Sequence, residues 1–277
     1  MTRPPPNPAT APPLAGQHVL VTRPPGQARP LRDRLEAMGA TVTTASTIRL
    51  VPPTDPRGLP RAAKRLAAYD WVVFTSVNAV ERLAEALRAE GRADALRACR
   101  LAAVGPSTAE AARAHGAADC LVPPVYRGEA LADSIVAATA PGERAGARVL
   151  LVQAEGARPV LRERLVAAGA EVEVAPAYAV DVNWPVRADL LEFIELGRGD
   201  WLTFTASSAA RAFVQLVGPQ TGGALVAAIS PVTAATLSEL GLPVHVVAAT
   251  HSMPGLVDAL TRAAARPGRR SATASRV

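Results

Sequence analysis

Cysteine is nearly absent from this 277-residue chain, and the two cysteines present, Cys99 and Cys120, form no C-x-x-C motif. No histidine pair lies near them, so the sequence favours neither a disulfide framework nor a zinc site. Long apolar runs are also missing: no stretch approaches the roughly 18 residues that a membrane span requires. The first residues are rich in proline and do not follow the signal-peptide pattern. We therefore expect a soluble, cytoplasmic protein with no membrane contact.

The motifs of common cofactor and hydrolase sites are absent as well. No G-x-G-x-x-G follows a strand, and the phosphate-loop, H-E-x-x-H and G-x-S-x-G motifs do not occur. His245 and His251 are six residues apart, a spacing that suits neither one helix face nor a usual zinc pair. The sequence thus predicts no nucleotide, metal or organic cofactor.

The net charge of +6 at pH 7 lies mostly in the two ends of the chain. Residues 1–17 and 266–277 contain arginines and no acidic residue, which leaves the rest nearly neutral. A nucleic-acid-binding protein normally carries its basic residues on the folded surface, so we expect no nucleic-acid binding. Both ends are interpreted as disordered tails, and the basic C-terminal one either binds a partner or is simply solvated.

An internal repeat is the most informative pattern in the chain. Residues 18–42 match residues 148–172 at 11 of 25 positions without a gap, and the similarity extends over 18–123 and 148–250. A repeat longer than about 100 residues has the size of a domain. The sequence therefore predicts two similar domains, and a cleft between them is the first place to look for a ligand.

Both copies alternate short β-rich apolar runs with stretches of helical periodicity. This alternation predicts an α/β fold with parallel sheets. Two longer extended segments, 41–51 and 171–182, are candidates for the crossover between domains. The predicted strands are 18–22, 71–75, 101–104 and 119–122 in the first copy, and 148–152, 201–205, 225–229 and 244–248 in the second.

Hydroxyl-bearing residues follow four of the predicted strands, each time at the point where a helix begins. In an open parallel sheet the carboxyl ends of the strands line the ligand crevice, and the N–H groups at a helix start bind anions. The same residue types are the commonest helix caps, so a purely structural role stays open for each. The four blocks are Phe74–Asn78, Gly105–Thr108, Phe204–Ser208 and Ser230–Thr233.

A series of motifs runs in order from about residue 18 to residue 262. The motifs are Val19–Pro24, Phe74–Ser76, Asn78–Val80, Ala103–Gly105, Thr108–Ala109, Val149–Leu151, Tyr178, Phe204–Thr205, Ser207–Ala209, Ile229, Thr233–Ala234, Gly241–Leu242 and Gly255–Leu256. In these motifs and their order the chain resembles the uroporphyrinogen-III synthase family.

The resemblance implies two flavodoxin-like α/β domains joined by a two-stranded β ladder, although a plain tandem pair fits the spacing equally well. Residues 18–45 with 183–265 would form one domain, 50–174 the other, and 46–49 and 175–182 the linkers.

The resemblance also implies an activity, a substrate and a set of site residues. The family cyclises hydroxymethylbilane to uroporphyrinogen III in haem biosynthesis, with inversion of the last pyrrole ring and loss of water, and uses no cofactor. The phenol of Tyr178 would donate a proton to the departing hydroxyl, although a ladder residue with a solvated tip fits equally well. Ala206 stands where the family often has serine, which puts the second hydroxyl block in doubt. The substrate carboxylates would contact Arg23, Thr75, Ser76, Asn78, Ser107, Thr108, Thr205, Ser207, Ser208 and Thr233.

Two other classes of protein are weighed against this enzyme. A non-catalytic regulatory protein that binds a tetrapyrrole or another anion would keep the same cleft without the chemistry. A glycosyltransferase with two Rossmann-like domains is disfavoured, because no sugar-nucleotide signature occurs. We expect a monomer, with transient contact to the preceding enzyme of the pathway as an open alternative.

Overall fold

The structure is a computed structural model that describes residues 12–143, 145–197 and 199–265. Within these ranges the backbone divides into two compact units. Unit 1 contains the residues up to Arg49 and those from Asp181 onward, and unit 2 contains Leu50–Val180.

Strands and helices alternate along most of the described chain. The strands are β1 His18–Val21, β2 Thr41–Thr44, β3 Ile48–Val51, β4 Trp71–Phe74, β5 Leu101–Ala103, β6 Arg148–Ala154, β7 Glu171–Val182, β8 Trp201–Phe204, β9 Leu225–Ala228 and β10 Val246–Val247. The helices are α1 Pro25–Ala37, α2 Gly58–Lys64, α3 Val77–Ala89, α4 Pro106–Ala114, α5 Gly128–Ala138, α6 Val160–Ala167, α7 Arg187–Glu195, α8 Ser207–Val217, α9 Pro231–Glu239 and α10 Met253–Ala264.

Unit 1 contains a five-stranded sheet in the order β2-β1-β8-β9-β10, and each neighbouring pair is parallel. Counted along the unit, this is the 2-1-3-4-5 order of flavodoxin-like sheets. The first strand of the chain is paired with a strand from its last third, with Val19 opposite Trp201. The sheet of unit 1 therefore contains strands from both ends of the described chain.

Unit 2 contains a sheet in the order β3-β7-β6-β4-β5. The pairs β7–β6, β6–β4 and β4–β5 are parallel, and an isolated parallel bridge joins Ala102 to Leu121 beyond β5. The order β7-β6-β4-β5 repeats the order β2-β1-β8-β9 of unit 1, and β3 is added at the edge beside β7. The predicted α/β class with parallel sheets is confirmed.

Both faces of each sheet are covered, which explains why the strands read as continuous apolar runs. In β1, Val19 and Val21 pack in one cluster with residues of α1 and α10. Leu20, which points to the opposite face, packs with Phe204 and Phe213 in a second cluster. Unit 2 is built in the same way, with Leu150 and Leu151 of β6 in two different clusters.

The predicted strand at 119–122 is wrong, because only Leu121 makes a bridge there. The Asp119 carboxylate accepts the backbone N–H of Cys120, at 2.7 Å. Pro123 and Pro124 follow at once, and proline has no N–H with which to extend a ladder. The strand predicted at 244–248 is likewise reduced to the two residues of β10.

Residues 12–17 are folded, although the sequence placed them in a disordered tail. Leu14 is fully buried in a cluster with Leu31 and Leu35 of α1, and its N–H donates to the carbonyl of Met38 at 2.8 Å. A single leucine between proline and glycine shows no periodicity, so the sequence pattern missed it. Residues 1–11 and 266–277, also predicted as tails, lie outside the described residues.

The two predicted crossover segments differ in structure. Residues 41–51 divide into β2 in unit 1 and β3, whose residues Leu50 and Val51 belong to unit 2, and a buried stretch, 45–47, separates the two strands. Residues 171–182 form the single strand β7, which pairs with β6 as far as Tyr178. Part of the predicted 175–182 linker is therefore a sheet strand of unit 2.

We expect Gly255→Ala to lower the free energy of unfolding by about 1–3 kcal/mol, because overpacking of a tight site costs this much. Gly255 lies in the first turn of α10, and a Cβ there would clash with the backbone carbonyl oxygen of Thr250. Urea unfolding measures the change. Gly26→Ala in the first turn of α1 is the matched control, since a Cβ on Gly26 would meet no atom within 4 Å. Equal unfolding midpoints for the two variants would contradict the expected clash.

Candidate functional site

The carboxyl ends of parallel strands all lie at one edge of their sheet, which we call the carboxyl edge of each unit. In unit 2 the helices α3 and α4 begin at this edge, directly after β4 and β5. In unit 1 the helices α1, α8 and α9 begin there, after β1, β8 and β9. The predicted site residues follow these strands, so each unit has its own group of them.

Tyr178 and Ser76 meet at the carboxyl edge of unit 2. Tyr178 is aligned with Ala154, the last residue of β6, and is buried. Its hydroxyl lies 3.0 Å from the Ser76 hydroxyl. Ser76 also caps α3 by accepting the N–H of Ala79 at 3.1 Å. When the Ser76 proton is donated to the Tyr178 oxygen, the phenol is held in place and its own proton stays available for a ligand.

The other two residues of this block flank Ser76. Thr75 follows the last residue of β4, and Asn78 is the second residue of α3. Both are half-buried and lie outside the fully buried core. Thr75 follows β4, which lies between β6 and β5 in the sheet of unit 2, and Asn78 lies in the first turn of the helix after it.

Helix α4 begins at the same edge without a side-chain cap. Its N-cap residue, Gly105, has no side chain to accept a hydrogen bond, and Pro106 occupies the first helical position. Ser107 is exposed, whereas Thr108 is only 4% exposed. Because no side chain accepts from the first turn of α4, its dipole and free N–H can stabilise an anion.

Arg23 is the principal cationic group of the edge in unit 1. Its two terminal nitrogens donate to the Thr205 hydroxyl and to the Gln27 amide oxygen, both at 3.0 Å. Its Nε is buried and has no hydrogen-bond partner among the described residues. Over the same residues, no carboxylate forms an ion pair with this guanidinium. Burial lowers the pKa of Arg23 below its ordinary value, since the charged form loses solvation.

Ser207 is turned toward a neighbouring helix. Its hydroxyl lies 2.8 Å from that of Thr236. Thr236 donates its own proton to the carbonyl of Val232 at 3.1 Å, so Ser207 is the donor of the pair. Ser207 therefore ties α8 to α9. Ser208 is exposed, and Ala206 leaves the start of α8 without a side-chain cap.

Thr233, in the first turn of α9, belongs to a capping pair. Its N–H donates to the Ser230 hydroxyl at 3.3 Å, and the two hydroxyls are 3.2 Å apart. Thr233 is 3% exposed. The start of α9 is thus capped, whereas Gly105, at the corresponding place in the repeat, leaves α4 uncapped.

Ser230, which belongs to one of the four predicted blocks, acts as the cap of α9 beside Thr233. Sequence reasoning missed two other residues at these edges. Gln153, the repeat counterpart of Arg23, is 7% exposed at the end of β6. Tyr126 is exposed and packs against Gly105. The scarcity of aromatic residues was a signal that could have drawn attention to Tyr126.

Over residues 12–143, 145–197 and 199–265, no group of three or more histidine, cysteine, aspartate or glutamate side chains could hold a metal ion. In the same ranges, none of the helices has the length and apolar character needed to cross a bilayer.

The fold and these edges define a class: an α/β protein of two parallel-sheet units with hydroxyl groups and helix starts at the carboxyl ends of its strands. A family model described as uroporphyrinogen-III synthase HemD matches residues 29–258. The uroporphyrinogen-III synthase of Synechococcus elongatus is 31% identical over 257 residues, which cover 90% of this chain and 96% of that protein. A putative uroporphyrinogen-III synthase of Methanothermobacter thermautotrophicus is 30% identical over 233 residues, 81% of this chain and 90% of that protein. The chain belongs to the uroporphyrinogen-III synthase family.

Solved structures show a similar fold. A mutant uroporphyrinogen III synthase of Thermus thermophilus superposes with a TM-score of 0.60 at 19% identity, over 90% of this chain and 98% of that one. The uroporphyrinogen-III synthetase of Helicobacter pylori has a TM-score of 0.59 at 18% identity, over 89% of this chain and 99% of that one. At these identities the likeness concerns the fold alone.

Proposed function

We propose that this chain is the enzyme that closes linear hydroxymethylbilane to uroporphyrinogen III in haem biosynthesis. Membership of the family over residues 29–258 gives the reaction. The observation that carries the proposal to particular residues is the Tyr178 phenol, held by Ser76 beside helix starts at the carboxyl edge of unit 2. Tyr178 is proposed as the proton donor.

The reaction needs little electronic help from the protein. The lone pair of a pyrrole nitrogen expels the terminal hydroxyl, which leaves as water once it has received a proton, and an azafulvene cation forms. The substituted carbon of the last ring attacks this cation, and the resulting spiro intermediate opens and recloses with the ring inverted. The carbon that forms the final bond then loses its proton, which restores the pyrrole and balances the proton given to the hydroxyl. Catalysis then consists of holding the chain ends in place and supplying one proton.

Groups that suit a substrate with eight carboxylates occur at both carboxyl edges. Arg23 has a cationic fork without a carboxylate partner among the described residues. Helices α4 and α8 begin without side-chain caps. Such groups stabilise carboxylates through charge-assisted hydrogen bonds and the helix dipole. The proposed side-chain contacts are Arg23, Thr75, Asn78, Ser107, Thr108, Thr205, Ser208 and Thr233. Ser76 and Ser207 would contribute their backbone N–H groups, because their hydroxyl protons are donated to Tyr178 and Thr236.

We also propose the finer organisation that the family resemblance implies. A duplicated flavodoxin-like unit would account for the repeated strand order of the two sheets. The domains would be 18–45 with 183–265 and 50–174, and the neighbouring strands β3 and β7 would form the ladder that joins them. The Arg49–Asp181 ion pair, at 2.7 Å, joins a residue of β3 to a residue of β7 and supports this ladder. We further propose that the protein is a cytoplasmic monomer that transiently contacts the preceding enzyme of the pathway.

A coupled assay tests the activity. Hydroxymethylbilane is supplied to the purified protein, the product is oxidised, and type I and type III porphyrins are separated. We expect type III well above the protein-free blank, because uncatalysed closure gives the type I ring. Type I alone, together with binding of uroporphyrin, would instead identify a non-catalytic tetrapyrrole-binding protein.

We expect the double variant Thr108→Ala with Thr233→Ala to raise KM by about tenfold, because two hydrogen bonds of roughly 0.5–1.5 kcal/mol each are removed. Steady-state kinetics measures the change. Thr261→Ala is the matched control, since its hydroxyl bonds only a backbone carbonyl, that of Val257, within α10. The double Thr→Ser variant keeps both hydroxyls and should stay close to wild type. An unchanged KM in the double alanine variant would assign both threonines a capping role only.

A further inference from the structure

The aromatic residues of this chain are few and almost all buried. It has three Trp, three Tyr and four Phe, and eight of these are no more than 8% exposed. The two exceptions are Trp184, in a short turn before α7, and Tyr126, which is 62% exposed. A large exposed ring is unusual enough in this chain to need an explanation.

Tyr126 lies at the carboxyl edge of unit 2, next to the uncapped helix start. The segment 122–127 leads from the Leu121 bridge to α5. The ring packs on Gly105, where a Cβ would lie 3.7 Å from the Tyr126 Cγ. Gly105 is the N-cap residue of α4. In the first turn of α4, Pro106 has no N–H and the Thr108 N–H donates to the Gly105 carbonyl at 3.1 Å. The exposed ring therefore stands beside a helix start at which the Ser107 N–H can receive a carboxylate.

The segment that carries Tyr126 is restrained. Pro123 and Pro124 have fixed φ angles, and Pro123 is buried. The N–H of Arg127 donates to the carbonyl of Val125 at 2.8 Å, which closes a tight turn around Tyr126. A ring held on such a turn loses little conformational freedom when a ligand binds.

Apolar exposure continues at the same edge. Val125 is 51% exposed beside Tyr126 in the chain, and Val77, the first residue of α3, is 38% exposed. The edge thus combines apolar surfaces with hydroxyls and a free helix start. A pyrrole with carboxylate side chains has the same combination, a flat electron-rich ring with charged groups at its rim.

We propose that Tyr126 is a substrate-positioning residue whose ring stacks on a pyrrole ring of the bilane while a carboxylate of that ring binds at the start of α4. This inference rests on the proposed function. Stacking uses the face of the aromatic ring, so the phenol hydroxyl is dispensable. The contact is made in the ground state and in the transition state alike, and therefore acts on KM rather than on kcat.

Kinetics and binding of three variants test this role. Tyr126→Ala is expected to raise KM for hydroxymethylbilane by about tenfold, with kcat changed less than about twofold. Tyr126→Phe keeps the ring and should restore the wild-type KM. Val166→Ala, which removes an apolar side chain 47% exposed on α6 of the same unit, is the control and should change neither constant. Fluorescence titration should show weaker binding of uroporphyrin III by Tyr126→Ala, and wild-type dissociation constants for Tyr126→Phe and Val166→Ala.

The outcomes separate this inference from the proposed function. An active wild type with an unchanged KM in Tyr126→Ala would overturn the stacking role and leave the proposed activity in place. A Tyr126→Phe variant as weak as Tyr126→Ala would also overturn it, since the hydroxyl would then be the contact. If the wild type forms no type III product, the proposed activity is wrong, and the stacking role is tested by the uroporphyrin titration alone. Tenfold weaker binding of uroporphyrin by Tyr126→Ala than by the wild type would then support the inference. Equal binding by the two proteins would overturn it.

Discussion

Tyr178→Phe is expected to lower kcat for type III formation by about a hundredfold, the lower range of what a positioned general acid contributes. The substitution removes the one proton that the proposed mechanism takes from the protein. The Ser76 hydroxyl lies 3.0 Å from the phenol oxygen and loses this partner, but it still accepts the N–H of Ala79. The fold should therefore stay intact, and KM should change little.

Single-turnover formation of type III porphyrin, with unfolding measured in parallel, checks this expectation. Tyr69→Phe is the matched control, because Tyr69 is also buried and donates to Glu173 at 2.6 Å. It lies two residues before the start of β4, at the opposite end of the sheet, so its loss should leave kcat unchanged. A normal rate in Tyr178→Phe would remove the phenol from the mechanism, and another donor would have to be found.

Arg23→Leu is expected to raise KM by at least tenfold and, at the same time, to raise the free energy of unfolding. The guanidinium is partly buried with an unpaired Nε, and burial lowers its pKa below the ordinary value. A buried cation without an anion destabilises the free protein, and an apolar side chain relieves that cost. A substrate carboxylate would supply the missing partner, with charge-assisted hydrogen bonds of about 1.5–3 kcal/mol each.

Steady-state kinetics and urea unfolding of the same variant measure the two opposite effects. Arg29→Leu is the control on the helix that follows: Arg29 is exposed and forms only a surface ion pair with Asp33, worth about 0–1 kcal/mol. Arg23→Lys keeps the charge without the fork and should give an intermediate KM. Lower stability with an unchanged KM would show that Arg23 serves only to hold Thr205 and Gln27 together.

The strands were predicted well wherever they are buried on both faces. Trp71–Phe74 is a continuous apolar run because helices cover both sides of its sheet. Trp201–Phe204 is interrupted only by Thr203, which is buried and donates its hydroxyl proton to the carbonyl of Leu20. The prediction failed at 119–122, where an aspartate and two prolines interrupt the ladder, and at Leu14, which packs without any periodic neighbour. Apolar composition alone shows neither that the ladder is interrupted at 119–122 nor that Leu14 is buried.

The sequence predicted which residue types lie at the strand ends of the candidate site. It did not predict the contacts that these side chains make with one another. Ser76 and Ser207 follow equivalent strands, yet Ser76 holds Tyr178 whereas Ser207 ties two helices together. Tyr126 was missed because its role depends on contact with Gly105, 21 positions earlier in the chain. Side-chain direction and contacts between loops depend on packing, which a strand-and-helix pattern does not describe.

The sequence by itself determined the α/β class and the family, because apolar periodicity and sequence motifs are local properties of the chain. Only the tertiary structure decided that β1 lies beside β8, where the Thr22 hydroxyl donates to the carbonyl of Thr203, 181 residues later. Strands join through backbone hydrogen bonds, which are the same for nearly every residue type. The partner of a buried strand therefore leaves no mark in its own sequence, and the packing of the whole fold selects that partner.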